Sequence, residues 1–181
     1  MRAGDYFIQK WRMRLAGRWI PRDSRVLDIG CSQGEFLAQL ADKIAPSIGI
    51  DPLLEKDGQL GRHQLLALSF QEHLPFPGQS FDVIVLLATI EHIQNKSAVA
   101  IEAQRLLKPG GRVVITVPSS IVDKILSVLI KIRVVDGMSV EEHHGFHPNE
   151  IPRIFQKEIY ELMVWKKFQF GLNNLFVFSL I

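Results

Sequence analysis

The chain has 181 residues, 47% hydrophobic and 22% charged, with a formal net charge of +2. That length suits one domain with a sizeable core, and the near-neutral balance excludes a protein that binds polyanions through bulk charge. A single cysteine, Cys31, excludes an internal disulfide framework and suits a reducing, cytoplasmic setting.

The first 25 residues hold seven basic side chains (Arg2, Lys10, Arg12, Arg14, Arg18, Arg22, Arg25) against Asp5 and Asp23. A solvated helix face accounts for them better than contact with an anionic surface. Tyr6, Phe7, Trp11, Leu15 and Trp19 supply the apolar side of an amphipathic helix. Residues 1–22 are therefore expected to form an N-terminal helical cap, placed to cover a ligand pocket. The segment lacks the uninterrupted apolar run of a secretory signal.

"RVLDIG" (25–30) is a short apolar run ending at glycine, the pattern of a strand buried on both faces. "GEFLAQLADKI" (34–44) repeats apolar residues at helical spacing until Pro46, and "SIGID" (47–51) predicts a second strand. "HQLLALS" (63–69) predicts a third, and "FDVIVLLA" (81–88) is the strongest strand signal in the chain. A helix over about 95–107 runs into "LKPGG", whose proline and glycines turn the chain into "RVVITVP" (112–118). Alternating strands and helices imply a parallel sheet covered on both faces, with right-handed crossovers. The tail breaks that alternation: "EIYELMVWKKFQFG" and "NNLFVFSLI" are strand-like runs joined at "GLNN", a hairpin, so the last strand enters antiparallel.

"SSIVDKILSVLIKIRVV" (119–135) carries Asp123, Lys124, Lys131 and Arg133, and is too short and too charged to span a bilayer. Lys124, Ser127 and Lys131 fall on one helical face; Ile121, Ile125, Val128, Leu129 and Ile132 fall on the other. Residues 119–147 read as a lid over an acceptor site. The apolar face is then packed on the sheet edge, a wall for a hydrophobic acceptor, or a peripheral membrane contact.

"SRVLDIGCSQGEF" concentrates the chemistry. In an open parallel sheet a ligand binds beyond the carboxyl ends of the strands, where the strand order reverses. Gly30 and Gly34 let backbone approach a ligand closely, although two glycines also serve a plain strand-to-helix turn. The dinucleotide pattern G-x-G-x-x-G fails here, because Ser32 and Glu35 stand where it needs glycine. Asp28 at the strand end would repel a pyrophosphate; it is either a buried structural carboxylate or the partner of a cation. Asp51 closes the second strand, 17 residues beyond Gly34. It is suited to accept hydrogen bonds from ribose hydroxyls, or to cap the turn that Pro52 begins.

"VLDIGCSQGEFL", "GIDP", "LPFPGQSFDVIVLLATIEHI" and "LLKPGGRVVITVPSS", in that order, resemble the successive motifs of class I S-adenosylmethionine-dependent methyltransferases. The resemblance covers about residues 20–181. It implies a single α/β domain over residues 1–181: a doubly wound, Rossmann-like, seven-stranded sheet, mostly parallel, with an antiparallel C-terminal hairpin strand. It implies S-adenosylmethionine as cofactor and S-adenosylhomocysteine as product. By that resemblance Asp28 faces the methionine ammonium, Gly30 and Cys31 border the methionine, and Asp51 holds the ribose. Gly34, Pro52, Phe70, Gln71 and Leu87 complete the expected cofactor-binding set. Two departures stand out. Ser32 replaces the middle glycine of the family's acid-x-Gly-x-Gly-x-Gly, and Phe70 occupies the position of an acid that contacts adenine in many relatives.

His92, in "TIEHI" just past the fourth strand, is either a general base near the transferred methyl or a histidine bonded to a turn. His144 and His147, in "EEHHGFHPNEI", are further candidates for contact with substrate. Some quinone-biosynthesis relatives read E-x-x-E-H before that histidine and bind a divalent metal. Ala88 stands at the first position here, so no metal is expected. The expected partner is a small-molecule or lipid-like acceptor, oxygen slightly favoured as its atom, and no nucleic acid. A non-catalytic protein of the same fold is the alternative.

Overall fold

The computed structural model describes residues 3–119 and 147–181. Its sheet contains β1 Val26–Ile29, β2 Ile48–Ile50, β3 Gly58–Leu60, β4 His63–Leu66, β5 Phe81–Leu87, β6 Leu107–Pro118, β7 Tyr160–Phe168 and β8 Asn173–Leu180. The strands lie in the order β3-β4-β2-β1-β5-β6-β8-β7. Neighbours from β4 to β6 pair parallel, and β8 runs antiparallel to both β6 and β7. The seven expected strands are all present. The eighth, β3, is a three-residue edge strand antiparallel to β4.

The helices are α1 Ala3–Ala16, α2 Glu35–Leu40, α3 Lys96–Leu106 and α4 Ile151–Ile154. Helix α2 ends four residues before the expected Ile44. Ala41 takes a positive φ of 44° at its end, and a 3₁₀ turn at Ala41–Lys43 carries the chain on to the buried Ile44. Helix α3 starts where the Asn95 side chain accepts a hydrogen bond from the Ala98 N–H at 3.3 Å. The Pro-Gly-Gly turn forms an excursion within β6: Leu107 pairs with Phe81, but Arg112 pairs with Val83. No helix among the described residues is long and apolar enough to cross a membrane.

The central strands alternate their side chains between two cores. Leu27 and Ile29 join Ile84, Leu106, Ile115 and Phe155 on one face of the sheet. Val26 joins Val83, Val85, Val114, Leu37 and, from α1, Met13, Leu15 and Ala16 on the other. Of the apolar face expected for the N-terminal helix, Leu15 is buried and Trp11 and Trp19 are half-buried. Tyr6 and Phe7 remain exposed. A buried pair ties α3 to the loop before β5. Glu102 accepts the Leu74 N–H at 2.7 Å and an Arg105 N–H at 2.6 Å, while Arg105 also donates to the Leu74 and Phe76 carbonyls.

Candidate functional site

The strand order reverses at β1, which has β2 on one side and β5 on the other. The register pairs Asp28 with Gly49 and Ile29 with Ile50. Asp51 thus follows one step beyond Ile50, two rungs above Asp28 on the neighbouring strand, roughly 8 Å away at strand spacing. Both carboxylates are buried, Asp28 at 2% exposure and Asp51 at 7%.

Their surroundings differ. Asp51 accepts the Ser32 N–H at 2.8 Å through one oxygen and the Leu53 N–H at 2.9 Å through the other. It therefore pins the glycine loop and caps the turn after Pro52, and each oxygen keeps a further lone pair. Asp28 accepts no hydrogen bond from the described residues. Burial, then the charges of Glu35 and Asp51, push its pKa up to about 7. Burial and the same two aspartates also raise the Cys31 thiol, which is held protonated and inert.

Close packing dictates the glycines. Gly30 has a φ of 77°, and a Cβ there would lie 2.3 Å from Thr89 Oγ1. Gly34 has a φ of 82°, and its Cβ would strike Leu60 and Leu65 within 3 Å. A Cβ on Gly49 would lie 2.7 Å from the Cys31 sulfur, so glycine in β2 makes the space that Cys31 fills. Ser32 adopts a φ of 51° where the family pattern has its middle glycine, a conformation costing an L-residue roughly 1–2 kcal/mol. The loop thus keeps the left-handed geometry without the glycine.

A cleft of about 420 Å³ opens above these strand ends, within the size range of small-ligand pockets. Gly30, Pro52, Phe70, Gln71 and His92 line it, with Ile29, Ile50, Leu68, Thr89, Ile93 and Glu72. Ile29 and Ile50 are the chain neighbours of Asp28 and Asp51. Phe70 both packs on the core and faces the cleft. His92 is exposed on the wall, at the end of the 3₁₀ turn Ile90–His92, and its N–H donates to the Thr89 carbonyl at 3.0 Å. Leu87 is half-buried against the α1-side core.

His147 lies elsewhere, lining a depression with Ser97, Asn149 and Arg153. Its N–H donates to Glu150 Oε1 at 3.0 Å, capping the turn before α4. His144 and nearly all of the expected lid, residues 119–147, fall outside the described residues. Arg12 of α1 sits within electrostatic reach of Glu91, beside His92. Burial lowers the Arg12 pKa and Glu91 partly restores it.

Two wall residues escape sequence reading. Thr89 is revealed by the space that Gly30 leaves for it. Glu72 brings a carboxylate to the cleft two residues beyond Phe70, held by the Asn95 amide at 2.6 Å. Residues two apart in an extended segment share a side, but only the fold shows that this side faces the cleft.

Comparisons with known proteins agree with this geometry. The family described as "Methyltransferase domain" matches residues 2–171. The ubiquinone biosynthesis O-methyltransferase of Pseudomonas putida is 34% identical over 113 residues, covering 56% of this chain and 45% of the relative. A ubiquinone/menaquinone biosynthesis C-methyltransferase of Cupriavidus pinatubonensis is 28% identical over 116 residues, 58% of this chain and 48% of the relative. The chain thus spans about half the length of the curated relatives it matches. Among solved structures, a SAM-dependent methyltransferase from Aquifex aeolicus superposes with a TM-score of 0.67 at 16% identity, over 94% of this chain and 89% of that one. At that identity the likeness shows the fold.

Proposed function

Because the chain belongs to the methyltransferase-domain family, we propose that it transfers a methyl group from S-adenosylmethionine to a small-molecule or lipid-like acceptor. The observation that carries this reading is the pair of buried carboxylates, Asp28 and Asp51, two rungs apart beside an apolar cleft. A dinucleotide phosphate has no use for two such anions. A ligand with an ammonium at one end and a ribose in the middle uses both.

Asp28 meets the methionine ammonium, whose positive charge offsets the burial and repulsion that raise this carboxyl's pKa in the free protein. Gly30 and Cys31 border the methionine, and the remaining lone pairs of Asp51 take the ribose hydroxyls. Gly34 and Leu87 shape the loop and wall behind them. Adenine packs among Pro52, Leu68 and Phe70, with Gln71 and the Glu72 carboxylate near its amino group. Glu72 answers the absence of an acid at position 70.

The cofactor supplies an activated methyl carbon, and alignment of the acceptor supplies much of the rate. For an oxygen acceptor, His92 would take the hydroxyl proton as the acceptor is methylated. An imidazole at the cleft wall suits that role, which favours oxygen over carbon or nitrogen. The names of the two curated relatives, an O- and a C-methyltransferase of quinone biosynthesis, support a quinone-like acceptor.

Titration calorimetry with S-adenosylhomocysteine tests the cofactor site. Binding by the parent and a loss of at least tenfold in Asp51→Ala are expected. The Ser32 and Phe70 departures favour a second reading, a binding protein of this fold without turnover. Absence of S-adenosylhomocysteine binding in the parent would leave only that one. His92→Ala, assayed for methyl transfer to hydroxylated quinone precursors, should lower kcat about a hundredfold while leaving S-adenosylhomocysteine affinity within twofold. An unchanged kcat would remove the base from the mechanism.

A further inference from the structure

The turn between β7 and β8 carries a cost that the fold does not explain. Gln169, Phe170 and Gly171 all have positive φ, at 51°, 57° and 86°. Tight hairpins of this hand favour Asn-Gly or Asp-Gly, and a bulky aromatic there is an outlier. Gln169 has a return for its strain: its side-chain amide donates to the Ile8 carbonyl at 2.7 Å and fastens the turn to α1. Phe170 has little. It is 95% exposed, and its one ring contact among the described residues is an edge-to-face approach to Trp11 at 6.1 Å.

The same place gathers five basic side chains. Helix α1 and the hairpin enclose a groove of about 700 Å³. Phe7, Trp11 and Phe170 form its aromatic side, and Phe7 is 64% exposed. Lys10 and Arg14 reach it from α1, Arg18 from the 3₁₀ turn Gly17–Trp19 that follows, and Lys166 and Lys167 from β7. Among the described residues no acidic side chain lines it. Lysines on an edge strand also discourage strand pairing, but that purpose needs neither the helix cations nor an exposed phenylalanine.

We infer that this face docks the protein on an anionic bilayer surface. Phe170 and Phe7 enter the boundary between headgroups and acyl chains, and the five cations meet anionic headgroups around them. The aromatic geometry favours a bilayer over single-stranded nucleic acid. Phe7, Trp11 and Phe170 meet edge to face, at 69° and 83°, forming a wedge instead of parallel open ring faces on which bases would stack. The inference uses none of the residues of the cofactor cleft, so it stands or falls separately from methyl transfer.

Co-sedimentation of the whole chain with phosphatidylcholine vesicles, with and without phosphatidylglycerol, tests it. Binding is expected only when phosphatidylglycerol is present, and should weaken with salt. Each cation near such a surface is worth about 1 kcal/mol, roughly fivefold, so Lys166→Gln with Lys167→Gln should lower partitioning about thirtyfold. Phe170→Gly should lower partitioning about tenfold while raising the melting temperature, because it removes apolar insertion and turn strain together. A merely structural Phe170 would not separate those two effects. No binding to anionic vesicles, or undiminished binding by Phe170→Gly, would overturn the inference. So would binding of a single-stranded RNA that phosphatidylglycerol vesicles fail to displace.

Discussion

Asp28→Asn removes a carboxyl group that the free protein holds at a pKa of about 7, against an ordinary 3.8. At about 1.36 kcal/mol per pH unit, that interval is worth about 4 kcal/mol. The folded pKa lies above the unfolded one, so between those values the native state binds the extra proton and stability falls as pH rises. Roughly 2–3 kcal/mol of the loss falls between pH 5 and pH 8, or roughly 5–10 °C in melting temperature for a chain of this size. Thermal unfolding at both pH values should show the parent losing this increment and Asp28→Asn retaining it. At pH 8 the variant should be the more stable protein without ligand. The same substitution should weaken S-adenosylhomocysteine binding by about 2 kcal/mol, near thirtyfold, because the ammonium loses its charged partner. Stability and affinity then move in opposite directions, which a structural aspartate would not produce. An unchanged pH dependence, or undiminished affinity in calorimetry at pH 8, would refute the argument that this burial exists to receive a cation.

Ser32→Gly should stabilise the chain by about 1 kcal/mol in urea denaturation, because glycine adopts the observed φ of 51° without penalty. Gly30→Ala should destabilise by about 3 kcal/mol in the same assay and abolish S-adenosylhomocysteine binding, since its Cβ would overlap Thr89 in an already left-handed residue. Glu102→Gln should cost about 2 kcal/mol at pH 7. Burial opposes the Glu102 charge, but Arg105 and the Leu74 N–H outweigh it and hold the pKa below the ordinary 4.5. Its contribution is therefore present above that value and fades as pH falls through the folded pKa, so parent and variant should converge in acid.

The sheet is readable where strands are buried on both faces, because such strands cannot be written without continuous apolar runs. Residues 26–29 and 81–87 are of this kind. Gly58–Leu60 is not: it pairs only with β4, is largely exposed, and has no burial pattern to leave in its side chains. The early end of α2 was equally hidden, since helical spacing continues through Ala41 while the backbone there turns left-handed. At the site, Asp28, Gly30 and Asp51 are legible because one strand end and the next fix their spacing. Thr89 and Glu72 come from loops after other strands, and only the packing of those loops brings them to the wall. The apolar face of α1 is only partly legible for a similar reason. Met13 and Ala16 meet the core, whereas Tyr6 and Phe7 extend beyond the sheet that would have buried them.

Strand β8 lies between β6 and β7 but follows both in sequence. During synthesis, β7 therefore emerges with no neighbour, and the β6 edge stays open until residue 173 and beyond have left the ribosome. Until β8 pairs, the β6 edge is an apolar border able to capture a strand from another molecule. The interval before β8 pairs is the one in which the folding chain is most open to strand capture. A holdase chaperone would have most to protect in that interval.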